Sequence, residues 1–94
     1  MEKEIIAREL KKIISTGKIY LGLKQAKKAI KTGEAKLIIL ANNAPEMPKG
    51  NVPILKFDGD GFELGALCGK PFSVAVVTIV SEGESKLLGM VKGE

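Results

Sequence analysis

Lys18-Ile19-Tyr20-Leu21-Gly22-Leu23-Lys24-Gln25-Ala26-Lys27-Lys28-Ala29-Ile30-Lys31-Thr32-Gly33 changes its period once, at Gly22. Before the glycine, Lys18–Leu21 is a short apolar run that reads as a strand. After it, Lys24, Lys27, Lys28 and Lys31 recur at i, i+3, i+4 and i+7, which is one stripe of an α-helix. Leu23, Ala26 and Ile30 fall on the other face and are expected to enter a core. Gly33 closes the helix. A strand, a glycine and a lysine-faced helix suit an anionic backbone: helix-start N–H groups point outward, and Gly22 lets a phosphate approach closely.

Working outward, Glu2 to Thr16 reads as an amphipathic helix with Ile5, Ile6, Leu10, Ile13 and Ile14 on its apolar side, ended by Gly17 as a C-cap. Ala35–Ala41, with Leu37-Ile38-Ile39-Leu40 unbroken, reads as a strand buried on both faces. Asn42 to Asn51 holds Pro45, Pro48 and Gly50 and is loop. Val52–Phe57 is a second buried strand, followed by the turn Asp58-Gly59-Asp60-Gly61. Asp60 is the expected N-cap of a short helix running to Cys68, which Gly69 terminates. Phe72–Val80 is the longest β-branched run, and Ser85–Val91 reads as a final strand. Helices alternate with largely buried strands, so the class is α/β, with a mostly four-stranded sheet and helices on both faces.

The 94 residues suffice for one domain with a hydrophobic core, and 45% apolar with 28% charged residues is ordinary for a folded chain. The net charge of +4 is unevenly spread: residues 1–36 carry +6 and residues 37–94 carry −2. Seven lysines and no acid lie between Leu10 and Gly33. That polarity fits a face that docks on a polyanion. The single cysteine, Cys68, excludes an internal disulfide and is expected to pack as a small hydrophobe. With no histidine, the commonest general base and metal ligand are both missing, and one cysteine cannot build a zinc site. No apolar run approaches the length of a membrane span, and the N-terminus lacks a signal-peptide pattern.

Several separated motifs resemble one family in order: Tyr20-Leu21-Gly22-Leu23-Lys24, Ala35-Lys36-Leu37-Ile38-Ile39-Leu40-Ala41-Asn42-Asn43-Ala44-Pro45, Glu63-Leu64-Gly65, Gly69-Lys70-Pro71-Phe72, and Ile79-Val80 followed by Gly83-Glu84-Ser85. Together they resemble the ribosomal protein L-thirty-e family of the archaeal and eukaryotic large subunit. Siblings of the L-seven-Ae type, found also in guide-RNA particles, share the strand–glycine–helix element but differ after the short helix. The resemblance implies a three-layer α/β/α sandwich with a mostly four-stranded mixed sheet, residues 1–94 forming a single RNA-binding domain. It also implies binding to kinked, internally looped (kink-turn) ribosomal RNA, neighbouring ribosomal proteins as partners and a cytoplasmic place on the ribosome. No catalysis, cofactor, small-molecule substrate or membrane is expected, and the alternative is a guide-RNA or other non-ribosomal particle. One departure is visible. The family usually has a further helix between the strands ending near Ala41 and starting near Val52, and here that helix is shortened or missing between residues 42 and 51.

Proteins read RNA where bases are splayed out in loops and bulges. By the resemblance, three loops at Gly22–Gln25, Asn42–Pro45 and Gly69–Val74 line one end of the sandwich. Gly22 and Leu23 bring backbone to the RNA, Lys24 pairs with phosphate or a guanine edge, and Gln25 addresses a base edge. Lys28, one turn on, meets flanking phosphates, whereas Lys27 and Lys31 read equally well as a solvated face. Asn43 offers both amide functions to a base, or else simply forms the turn, and Asn42 beside it competes for the role. Phe72 is either core or a stacking face for an unpaired base, with Val74 its apolar neighbour on the same side of the strand. Two rivals are weaker. Gly22-Leu23-Lys24-Gln25-Ala26-Lys27 lacks the further glycines of a dinucleotide fingerprint, and Asp58, Asp60 and Glu63 are explained by a turn and a cap rather than by magnesium. A protein-interaction module needs an exposed apolar patch, which the sequence does not reveal.

Overall fold

The computed structural model describes residues 3–45, 48 and 50–92. In chain order these form α1 (Lys3–Thr16), β1 (Lys18–Leu21), α2 (Leu23–Thr32), β2 (Leu37–Leu40), β3 (Ile54–Lys56), α3 (Gly61–Leu67), β4 (Val76–Ser81) and α4 (Leu87–Lys92). The strands make one mixed sheet in the order β1-β4-β2-β3. β4 is antiparallel to both neighbours, with Tyr20 opposite Thr78 and Ile39 opposite Val77, while β2 and β3 run parallel.

Every residue of β2 is buried, because successive side chains enter opposite layers. Leu37 and Ile39 join Ile6, Leu10, Ile13, Phe57, Leu64 and Leu87 in the larger core beneath α1, α3 and α4. Ile38 and Leu40 join Val76 and Ala26 in a smaller core beneath α2. The result is three layers, α/β/α. α2 begins at Gly22, which has φ 97° and ψ 156°, and ends at Gly33 in the left-handed region at φ 80°. Asp60 caps α3 as expected, its carboxylate accepting the Glu63 N–H at 2.9 Å. Cys68 is buried, and burial pushes its thiol up to about 11, partly opposed by Lys70.

Four sequence expectations need correction. The final segment is a helix: Leu87, Leu88 and Met90 follow a helical stripe rather than an alternation. Ser85 Oγ accepts the Leu87 N–H at 3.1 Å and a Glu82 carboxylate oxygen accepts the Leu88 N–H at 3.0 Å, so two side chains cap the helix start. β4 begins at Val76, not Phe72, because the preceding residues bond to α3 and to the end of β2. β3 is a half-buried edge strand rather than a buried one. Gly17 closes the last turn of α1 by donating to the Ile13 carbonyl at 2.7 Å, but without a left-handed backbone. Its small size matters instead, since a Cβ there would strike the Ser81 carbonyl.

Between residues 42 and 51 the described residues contain no helix, in keeping with the shortened family element. Glu2, the first residue of the expected N-terminal helix, and residues 46, 47 and 49 of the expected loop lie outside the described residues. No helix of the described residues is long and apolar enough to cross a membrane.

Candidate nucleic-acid interface

The C-terminal ends of β1, β2 and β3 and the start of the antiparallel β4 all lie at one end of the sheet. Gly22, Asn42–Pro45 and Gly69–Val74 therefore leave the sandwich on the same side. Backbone hydrogen bonds tie them to a single stretch. The Gly22 N–H donates to the Val76 carbonyl at 2.8 Å, the Ala41 N–H donates to the Ala75 carbonyl at 2.9 Å, and the Val74 N–H donates to the Gly61 carbonyl at 2.9 Å. Val74-Ala75-Val76 is thus the common support of all three loops.

Each loop offers different chemistry. At the start of α2 no side chain caps the helix, so the N–H groups of Leu23, Lys24 and Gln25 face outward beside Gly22. Nothing lies within 4 Å of where a Gly22 Cβ would stand, so glycine is required there for its backbone and leaves open space above it. Lys24, Gln25 and Lys28 are exposed, and Leu23 is half-buried against the α2 core. Asn43 is exposed, and its Oδ1 accepts the Gly61 N–H at 3.0 Å. The side-chain NH2 remains a donor toward solvent. Its backbone φ is negative, so it is not held in the left-handed conformation that favours asparagine in turns. Gly69, at φ 74°, turns the chain after α3, and Phe72 stands 53% exposed beyond it.

Val74 is corrected here. It is 4% exposed and belongs to the larger core, so it supports the turn from beneath rather than flanking Phe72 on a strand face. The alternation that predicted its side fails because the chain is not yet in the sheet.

Two residues escaped the sequence reading. Gly61, read as part of a turn, bonds both the Asn43 side chain and Val74, and a Cβ there would push aside the Ser73 hydroxyl. Phe62 is 69% exposed on α3. The reading of Asp58-Gly59-Asp60-Gly61 as a turn holds for the Asp60 cap but not for Gly61, which opens α3, and a helix this short gives too few residues to define a face. The helical residues from Leu23 to Thr32 include no acid, whereas Glu63 of α3 is ion-paired with Lys3 of α1. A cavity of about 470 Å³ lies at the same end, between the ends of β2 and β3, lined by Leu40, Ala44, Lys56 and Phe57 among others. Among the described residues, no group of three or more His, Cys, Asp or Glu side chains is placed to hold a metal ion.

These features define an α/β/α sandwich that gathers its polar loops and an exposed aromatic at one end of the sheet. The chain belongs to the ribosomal protein L7Ae/L30e/S12e/Gadd45 family, whose model matches residues 4–89. Among curated relatives it is similar to the large ribosomal subunit protein eL30 of Saccharolobus solfataricus, with 38% identity covering 89% of this chain and 86% of the relative. The eL30 proteins of Sulfolobus acidocaldarius and Methanosarcina mazei are 40% and 38% identical, covering 89% and 88% of this chain and 89% and 85% of theirs. The first alignment runs over 93 positions but takes up only 89% of this chain, so the relative carries residues that this chain lacks. Among solved structures, a Giardia lamblia 15.5kD RNA binding protein shares the fold, with a TM-score of 0.71 at 24% identity over 99% of this chain and 85% of that one.

Proposed function

We propose that this chain is a structural component of the large ribosomal subunit that binds a kinked internal loop of ribosomal RNA, and that it works in the cytoplasm on the ribosome without catalysis. The observation that carries this reading is the convergence of three loops on Val74–Val76 in a chain whose relatives are named as large-subunit proteins. At the kink, the uncapped start of α2 and Lys24 take phosphate oxygens, while Gly22 and Leu23 let the RNA backbone come close. Gln25 reads a base edge, Lys28 holds the flanking phosphates, and Asn43 donates its NH2 to a base. Phe72 stacks on an unpaired base, with Val74 fixing the turn that carries it. The names of the relatives favour the ribosome over a guide-RNA particle, and neighbouring ribosomal proteins are the expected further partners.

The test compares binding to a kink-turn RNA and to a straight duplex of matched stems at fixed salt. A preference of about tenfold or more for the kinked RNA is expected, equivalent to roughly 1.4 kcal/mol. Equal affinity for both would overturn the reading and leave only non-specific attraction to the basic face.

A further inference from the structure

We infer that Phe62 is a second aromatic contact for the same RNA, taking an unpaired base or its sugar beside the one at Phe72. This rests on the RNA-binding reading of that end of the sheet. α3 turns Gly61, Leu64 and Gly65 toward the protein, and Cys68 just after it is buried as well. Phe62 leaves the helix about 100° round from Gly61, since a turn holds 3.6 residues. It therefore stands in water, more exposed than the other large apolar side chains of the described residues at 69% against 53% for Phe72 and 38% for Ile14.

Its neighbourhood is continuous with the three loops. The residue before it bonds the Asn43 side chain through its N–H and Val74 through its carbonyl. The Phe72–Val74 segment lies along the groove made by Gly61 and Gly65, with Ser73 Oγ over the first and the Phe72 carbonyl over the second. Two of the three phenylalanines of the chain are thus exposed on either element of one junction. The acids beside Phe62 in sequence are engaged: Asp60 caps the Glu63 N–H, and Glu63 points to the other side of α3 and pairs with Lys3. An apolar ring offers a phosphate neither charge nor donor and suits the face of a base.

Binding of Phe62→Ala, Phe62→Trp and the wild-type chain to a kink-turn RNA is measured across a salt series, with 2-aminopurine placed in turn at each loop position. Phe62→Ala is expected to fold as the wild type and to bind about fivefold or more weakly, with an unchanged log–log salt slope. Phe62→Trp should retain affinity, and one loop position should brighten in the alanine variant as its stacking is lost. Wild-type affinity in Phe62→Ala, alongside weakened binding by Phe72→Leu, would overturn the inference while leaving the RNA reading standing. A reduced salt slope in Phe62→Ala would also overturn it. Loss of the kinked-over-straight preference in the wild type would instead remove the RNA reading itself.

Discussion

Asn43 is asked to do two things with one amide, and its two ends can be separated. Its oxygen holds Gly61 within the fold, and its NH2 faces outward. Asn43→Asp keeps the acceptor and removes the donor, so its melting should stay close to that of the wild type while discrimination for kinked RNA falls by about 1–3 kcal/mol. Asn43→Ala removes both, and should in addition lose about 0.5–1.5 kcal/mol of stability. Equal binding by the aspartate variant and the wild type would restrict Asn43 to holding the loop. Lys24→Ala and Lys28→Ala should each lower the log–log salt slope of binding by roughly 0.7–0.9, and an unchanged slope would mark a merely solvated face. The residues alone leave Phe72 open between core and stacking face; its exposure follows from its place beyond the left-handed turn at Gly69, before the chain enters β4. The burial of Val74 was not legible, because alternation predicts a side only for residues already paired in a sheet.

At the scale of elements, α4 shows what local pattern misses. Its start is held by Glu9 of α1, a carboxylate only 2% exposed, which accepts from Ser85 Oγ at 3.0 Å and the Lys86 N–H at 3.3 Å. Burial alone would raise that carboxyl, but the bonds from Lys86, Ser85, Lys12 and Arg8 outweigh it and hold it down to about 2. Because the folded value lies below the ordinary 4.5, the stabilisation is complete above about pH 4.5 and drains away as pH falls toward 2. Glu9→Gln should be less stable at neutral pH and lose less on acidification, which denaturant titrations from about pH 6 to pH 2 would reveal. Parallel acid limbs in both proteins would show that other carboxylates govern. No spacing in the sequence joins Glu9 to Ser85, seventy-six positions apart, so neither the charge nor the helix it anchors was legible. In β4, Thr78 Oγ1 is buried without a hydrogen-bond partner. Thr78→Val should therefore be neutral or stabilising by about 1 kcal/mol in thermal denaturation, whereas a partnered hydroxyl would make it destabilising.

Over the whole molecule, the layers separate two kinds of surface. Among the described helices, α2 with its lysine stripe lies on one face of the sheet, while α1, α3 and α4 build the larger core on the other. This much was legible, since four contiguous apolar residues in β2 require cover on both sides and the lysines mark the outer face of one covering helix. The sheet order was not, because the short 42–51 connection gives no helical period to announce a parallel crossover. The support under the three loops was equally hidden, being made of main-chain groups that every sequence possesses. That support has a consequence for motion. The amide hydrogens of Gly22, Ala41 and Val74 are all engaged around one stretch of three residues, so letting one go loosens the attachment of the others. Gripping the kinked RNA should then slow deuterium uptake at these three amides together, as one cooperative unit, and by more than at Gly33 at the far end of α2. Uptake slowed at Gly22 alone would mean that the loops move independently. The chain would then assemble its grip only as the RNA arrives, rather than carrying it ready-made.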